Sequence, residues 1–214
     1  MTQFPASALT RLALRLGLLV PIIYYGIQAA AAPFFPEFSF NRVTASELGS
    51  DRSPVAWLFN GGIFTQGVFS LIASIGFFAA FRRQGVHPAL AILTCAALAL
   101  NGVQTLWAGW FPMPDPRHGG HPVFIIGMLG LPVLLAASMW KASGSAAIRT
   151  YFLLNLLGLA AVAPFMAGAT GIDLSNYRGL LQRIFTLTIF PPIGVAALTL
   201  LHRTRSSAEI RNIS

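Results

Sequence analysis

The chain has 214 residues, of which 55% are hydrophobic and 9% carry a charge. A soluble domain carries about 25% charged residues, so this composition excludes a water-exposed globule, and the abundance of aliphatic side chains and phenylalanine excludes a disordered chain. The single cysteine, Cys95, excludes an internal disulfide and any CxxC metal motif. These features predict an integral membrane protein.

Six stretches are long and apolar enough to cross a membrane, which takes about 20 residues. They are Leu12–Ala32, Val55–Phe81, Pro88–Trp110, Pro122–Trp140, Thr150–Ala169 and Leu180–Leu201. Most connections between them are short, so the sequence predicts an all-α bundle of six transmembrane helices in a single domain over residues 1–214. The first stretch has basic residues before it and small residues at its end, like a signal peptide, but its length favours a retained helix.

The lysine and arginine residues are divided unequally between the two sides of such a bundle. The side that holds both termini carries nine of the 14, the opposite side carries four, and Arg183 lies inside the sixth stretch. By the positive-inside rule we expect both termini on the cytoplasmic side of a cell membrane, with membrane lipids as neighbours of the basic groups. Because no basic helix stands outside the membrane, the net charge does not predict nucleic-acid binding.

Polar side chains inside the spans lie mostly in the half away from the termini, which we expect to be the outer half. The candidate ligand-binding residues there are Glu47, Asn60, Gln104, Gln182 and Arg183. Arg183 lies about one turn inside the sixth stretch, so it either extends to the surface or faces the bundle. In the bundle it would need a carboxylate, an anionic ligand or several backbone carbonyls. Other polar residues, such as Asn155, are expected to bond between helices.

Prolines inside four of the spans remove backbone donors and leave carbonyl groups unpaired about one turn earlier. They are Pro21, Pro132, Pro164 and the pair Pro191–Pro192. We expect the pair in the sixth span, two turns beyond Arg183, to shape a cavity between the helices.

The second outer loop holds the densest set of titratable groups, Asp115, His118 and His121. These are the catalytic candidates, with either imidazole as a proton carrier. The two histidines, three residues apart, are also weak candidates for a metal site, but they match no zinc motif, and we expect no metal or other cofactor. The alternative is structural: His118 packs the loop, and His121 bonds to Asp115 or Glu47.

The collinear order of four motifs resembles the DUF998 family, a group of multi-span membrane proteins of unknown function. The motifs are Ser46-Glu-Leu-Gly49, Leu58-Phe-Asn60-Gly-Gly, Phe111-Pro112 with Asp115 and His118 or His121, and Gly179-Leu-Leu-Gln-Arg183. The resemblance implies a membrane bundle with shared features on its outer face and carries no agreed activity. The family is also distantly similar to the Frag1/DRAM/Sfk1 membrane proteins, some of which are tied to lipid remodelling.

These observations support three functional hypotheses. In the first, the chain binds or processes a lipid or small amphiphile at a polar site in the outer half, where Arg183 holds an anionic group. In the second, it is a structural or assembly protein without catalysis. In the third, it is a small-solute transporter, although the sequence shows neither inverted repeats nor an acidic residue in the middle of a span. The ligand, any reaction and the oligomeric state stay open.

Overall fold

The computed structural model of the chain describes residues 7–209, with side chains as far as Thr204. This part of the chain is helical without β-strands, and six of its segments are long and apolar enough to span a membrane. Five spans are single helices and the sixth consists of two. The helices are α1 (Ala8–Ala31), α2 (Ala56–Arg83), α3 (Pro88–Trp110), α4 (Pro122–Ala142), α5 (Ala146–Met166), α6 (Arg178–Leu187) and α7 (Phe190–Glu209). The predicted all-α fold with six apolar spans is confirmed.

Side-chain caps set where several helices begin. The Ser7 hydroxyl accepts a hydrogen bond from the Thr10 amide, and the Ser145 hydroxyl accepts one from Ile148. Such caps satisfy amide groups that lack a partner in the first turn. Because of them α1 and α5 each begin four residues earlier than hydropathy alone predicts.

Most helices pack on their neighbours in the chain, and α7 returns to pack on α1. The first helix, α1, packs against α2 and α7, and the chain then continues through α3, α4, α5 and α6, each packed on the one before it. We call the end that carries residues 32–55, 111–121 and 167–177 the distal end, and the opposite end the proximal end. The proximal half is filled by large, fully buried side chains, among them Phe77, Phe81 and Phe152.

The sixth span is not the continuous helix that the sequence predicts, because it breaks between Leu187 and Phe190. Pro191 and Pro192 have no N–H groups, so the carbonyl groups four residues earlier lose their helical donors. The Nδ2 group of Asn155 in α5 donates to the Thr188 carbonyl, which lacks a helical donor, at 3.1 Å. The break is therefore stabilised from a neighbouring helix, as expected for polar groups in a membrane.

Candidate functional site

A cavity of about 600 Å³ lies between the helices in the distal half of the bundle. All the helices contribute to its wall, together with residues of the first two distal loops and Ala167 directly after α5. Its polar lining residues are Ser46, Asn60, Gln104, Thr105, His118, Gln182 and Thr186. Its apolar lining includes Ile125, Met128, Leu129, Ala163, Met166, Phe185, Ile189 and Phe190. Five of these seven polar residues belong to the two loops or lie against them, and the apolar groups come mainly from α4 to α7.

Two carboxamides that line the cavity, one on α2 and one on α6, bind the first distal loop, residues 32–55. The Nδ2 group of Asn60 donates to the Gly49 carbonyl at 2.8 Å. The Oε1 atom of Gln182 accepts from the Ala45 amide at 2.6 Å, and its Nε2 group lies 3.5 Å from the Ser46 hydroxyl. Both predicted residues therefore line the cavity and also position this loop over it.

The second distal loop, residues 111–121, brings His118 to the cavity. The Nδ1 atom of His118 lies 2.8 Å from the Phe111 carbonyl oxygen, which only accepts hydrogen bonds. Nδ1 therefore carries a proton, and in the neutral imidazole Nε2 is the basic, accepting atom. Beside this loop the Oε1 atom of Gln104 is buried and has no hydrogen-bond partner among the described residues.

The other two candidates in this loop do not line the cavity. The guanidinium and backbone amide of Arg117 donate to the Asp115 carboxylate, and these hydrogen bonds lower the pKa of Asp115 from 3.8 to about 2. The Nδ1 atom of His121 accepts from the Val123 amide at 3.3 Å and caps α4. The interpretation in which His121 bonds to Asp115 or Glu47 is therefore wrong.

A metal site at the second distal loop would need further ligating side chains close to His118 and His121. Among the described residues, no group of three or more His, Cys, Asp or Glu side chains is arranged to hold a metal ion. The two imidazoles also have separate roles, since His118 bonds to the loop backbone and His121 caps a helix. The residues in place therefore do not fit a metal at this loop.

Glu47 organises the first distal loop from outside the cavity. Its Oε2 atom accepts from the amide and the hydroxyl of Thr44 at 2.7 and 2.8 Å, and its Oε1 atom accepts from Arg178 at 2.9 Å. The Thr-x-x-Glu spacing is that of a capping box, here before the short 3₁₀ helix Ser46–Gly49. This buried carboxylate thus has its partners within the loop and at the start of α6.

Arg183 also lies outside the cavity lining. Its side chain is 7% exposed, so it does not extend to the surface. Its Nη1 group donates to the carbonyl oxygens of Phe40 and Val43, each at 2.8 Å. The centre of the Phe40 ring lies 4.6 Å from the guanidinium carbon. Of the alternatives that the sequence left open, the structure shows the one in which Arg183 binds backbone carbonyls.

Sequence reasoning missed most of the apolar lining, because apolar residues in a membrane helix carry no signal that separates cavity from lipid. One signal did point to it. Ile189 and Phe190 directly precede Pro191–Pro192 and line the cavity, as the position of the proline pair predicted.

Comparison with protein-family models matches residues 18–199 to a family described as a protein of unknown function, DUF998. Comparisons with curated proteins and with solved structures find no match. The matched range runs from α1 into α7 and contains all three distal loops and the whole cavity. The similarity to the Frag1/DRAM/Sfk1 proteins stays a prediction.

Proposed function

This chain belongs to the DUF998 family of proteins of unknown function, and from its cavity we propose that it binds a lipid or small amphiphile in the distal half of the bundle. The observation that carries the proposal is the uneven lining, in which most polar groups lie at the two loops and most apolar groups come from α4 to α7. An amphiphile divides its polar and apolar groups in the same way. The volume of about 600 Å³ lies in the usual range of small-molecule pockets, roughly 300 to 1,000 Å³.

The walls of the cavity also support entry from the membrane. Ile125 and Leu129 of α4 and Met166 of α5 line the cavity, and each is still 39% to 40% exposed. Partly exposed lining side chains on two neighbouring spans support an opening between α4 and α5. An apolar chain can therefore pass through this opening without crossing the loops.

Within this proposal, His118 is the residue able to carry a proton, because its Nε2 atom is the basic one. Asp115 and His121 have other partners, and Arg183 is bonded to the first distal loop. We therefore place no phosphate on Arg183. The charge distribution predicts that both termini lie on the cytoplasmic side of a cell membrane. In that orientation the cavity lies in the outer leaflet.

The proposal is tested by equilibrium binding of radiolabelled monomyristin, a monoacylglycerol, to the purified protein in detergent. Ala163 lines the cavity, so Ala163→Phe should fill it and weaken binding by about tenfold or more. Ala161 is exposed on the same helix, and Ala161→Phe should bind like the natural chain.

Ala167→Phe provides a second cavity variant at the end of α5, where Ala167 is exposed and a large side chain is tolerated more easily. Each variant is checked for folding by thermal unfolding. Absence of monomyristin binding, or equal binding by all three folded variants, would overturn the proposal and favour a structural or assembly role.

A further inference from the structure

Arg15 is an exposed arginine on the outside of α1. It follows Ala8, the first residue of the helix, by seven positions, and so lies about 10 Å inside the first membrane-spanning segment. Within the part of the chain that the structure describes, the ion pairs involve Arg52, Arg117 and Arg178, and no hydrogen bond or ion pair includes the Arg15 side chain. A charged side chain in a span is unfavourable unless it meets a partner, so the surroundings of the protein must supply one.

A groove of about 180 Å³ lies beside Arg15, between α1 and α7. Its other lining residues are Leu18, Leu198, Leu201 and His202. Arg15 and His202 are both exposed, so a molecule outside the bundle can reach them. The groove therefore combines leucine side chains with a cation and an imidazole, and it shares no residue with the lining of the distal cavity.

The packing of α1 against α7 brings Arg15 and His202 toward the same level. The helices are antiparallel, since α1 leads to the first distal loop and α7 runs back from the distal half, and a methyl group on Gly17 would lie 3.4 Å from the Cβ atom of Ala197. Relative to this contact, Arg15 is two residues and His202 five residues nearer the proximal end, about 3 Å and 7 to 8 Å. Side chains lean toward the N-terminus of their helix, so Arg15 leans toward the proximal end and His202 away from it. The two side chains therefore converge in height at the groove.

The described carboxylates all belong to the other end of the bundle. Five of the six acidic residues are in the distal loops, and the sixth, Glu209, lies beyond the described side chains. Arg11 lies one turn nearer the proximal end on the same face of α1 as Arg15 and adds positive charge. Among the described side chains the groove is therefore positively charged, and it favours an anion. A guanidinium binds a phosphate through two parallel hydrogen bonds.

The size of the groove favours a lipid over a free anion. Pockets that enclose a small molecule hold roughly 300 to 1,000 Å³, whereas this groove holds about 180 Å³, so it takes up part of a larger molecule. Leu198, which is 45% exposed on α7, gives the groove an apolar side that a free anion would not use. A phospholipid in the bilayer presents a phosphate and an acyl chain together, which matches both parts of the groove.

We infer that the groove between α1 and α7 binds an anionic phospholipid from the membrane leaflet at the proximal end. Its phosphate pairs with Arg15, and the start of an acyl chain lies along Leu18 and Leu198. The anionic lipids of a cell membrane are concentrated in its cytoplasmic leaflet, which is the proximal leaflet in the orientation that the charge distribution predicts. This site is independent of the ligand proposed for the distal cavity.

The test measures equilibrium binding of two radiolabelled lipids with the same acyl chains to the purified protein in micelles of an uncharged detergent. The lipids are anionic dimyristoylphosphatidylglycerol and zwitterionic dimyristoylphosphatidylcholine. The natural chain should bind the anionic lipid about tenfold more tightly. Arg15→Gln should weaken binding of the anionic lipid at least about fivefold, because the paired cation is lost. An excess of inorganic phosphate should not displace the lipid.

Two matched controls separate a defined site from general attraction to a basic surface. Lys141→Gln removes one positive charge from an exposed position at the proximal end of α4, outside the groove, and should change binding by less than about twofold. Leu198→Trp fills the groove without changing the charge and should weaken binding, whereas Leu93→Trp, at an exposed position of α3, should not.

The folding of each variant is checked by thermal unfolding, and Arg15→Gln should unfold like the natural chain because Arg15 has no internal partner to lose. Equal weakening by Arg15→Gln and Lys141→Gln, or normal binding by Leu198→Trp, would overturn the inference in favour of general surface attraction. Displacement by inorganic phosphate would overturn it in favour of a free anion. None of these results would affect the proposal for the distal cavity, which depends on monomyristin binding.

Discussion

Neighbouring residues in α6 have different tasks at the distal end. Gln182 lines the cavity and accepts a hydrogen bond from the Ala45 amide. Arg183 lies outside the lining and donates to two carbonyl oxygens of the same loop. The amides of Gly179 and Leu180, at the start of this helix, both donate to the Asn41 carbonyl. The first distal loop thus caps α6 while α6 holds the loop, and the cavity wall depends on both.

We predict that Arg183→Met lowers the free energy of unfolding by about 2 kcal/mol, because two hydrogen bonds from a charged donor are lost. Binding of monomyristin by the folded fraction should stay within about twofold, since Arg183 does not line the cavity. Detergent-induced unfolding and equilibrium binding measure the two effects. The matched control is Ile184→Met, at an exposed neighbouring position. An Arg183→Met protein with normal stability and tenfold weaker binding would instead indicate a direct contact with the ligand.

A pH dependence is predicted for the second distal loop. Hydrogen bonds from the Arg117 side chain and amide lower the pKa of Asp115 from 3.8 to about 2, so the ionised form stabilises the folded loop. This contribution is fully present above about pH 4 and is lost as the pH falls through about 2. The Trp107 indole donates to the Arg117 carbonyl and reports on the loop.

In a variant with Trp107 as its one tryptophan, the emission should therefore be constant from about pH 7 to pH 4 and change between about pH 4 and pH 2. Asp115→Ala should show the altered emission already at neutral pH. A natural loop whose emission changes between about pH 7 and pH 5 would contradict the assignment to Asp115.

The sequence located these polar side chains on the distal half but did not show which of them face the cavity. Asn60, Gln104 and Gln182 line it, whereas Glu47 and Arg183 are bonded to the first distal loop. The reason is that the partners of Arg183 are backbone carbonyl groups. Every residue has one, so no sequence pattern marks the segment that folds back to supply them.

At the scale of elements, hydropathy predicted the spans well because each helix must satisfy its own backbone in an apolar medium. It did not predict where the sixth span would break or how the break is stabilised. The two prolines marked the position, but the donor, Asn155, lies 33 residues away in α5. Such a contact depends on how α5 packs against α6, which a single sequence does not contain.

We predict that Asn155→Leu destabilises the folded protein by about 1 kcal/mol, because the Thr188 carbonyl then lacks its donor in an apolar environment. The effect is measured by unfolding in increasing concentrations of sodium dodecyl sulfate. Leu154→Ala, at an exposed neighbouring position of the same helix, serves as the control and should change stability less. If the two variants were equally stable, the break would not depend on this hydrogen bond.

At the scale of the whole molecule, the two halves of the bundle are filled differently. Fully buried Phe77, Phe81, Phe152 and Met139 occupy the proximal half, while the cavity lies in the distal half. Partly exposed side chains of α4 and α5 border the cavity, and its proximal side faces packed side chains. This arrangement favours binding from one leaflet over passage of a solute from one side to the other.

The orientation of the bundle decides which leaflet the cavity faces. The proximal side carries most of the lysine and arginine residues, so we predict that this side is cytoplasmic and the distal loops are outside. Accessibility of single cysteines to a membrane-impermeant maleimide, in a Cys95→Ala background, tests this. Gly119→Cys lies at an exposed position of the second distal loop with no atom close to its side, and Ala147→Cys lies at an exposed position at the proximal start of α5. Intact cells should label the former alone, and permeabilised cells should label both. Labelling of Ala147→Cys alone in intact cells would reverse the orientation and place the cavity in the cytoplasmic leaflet.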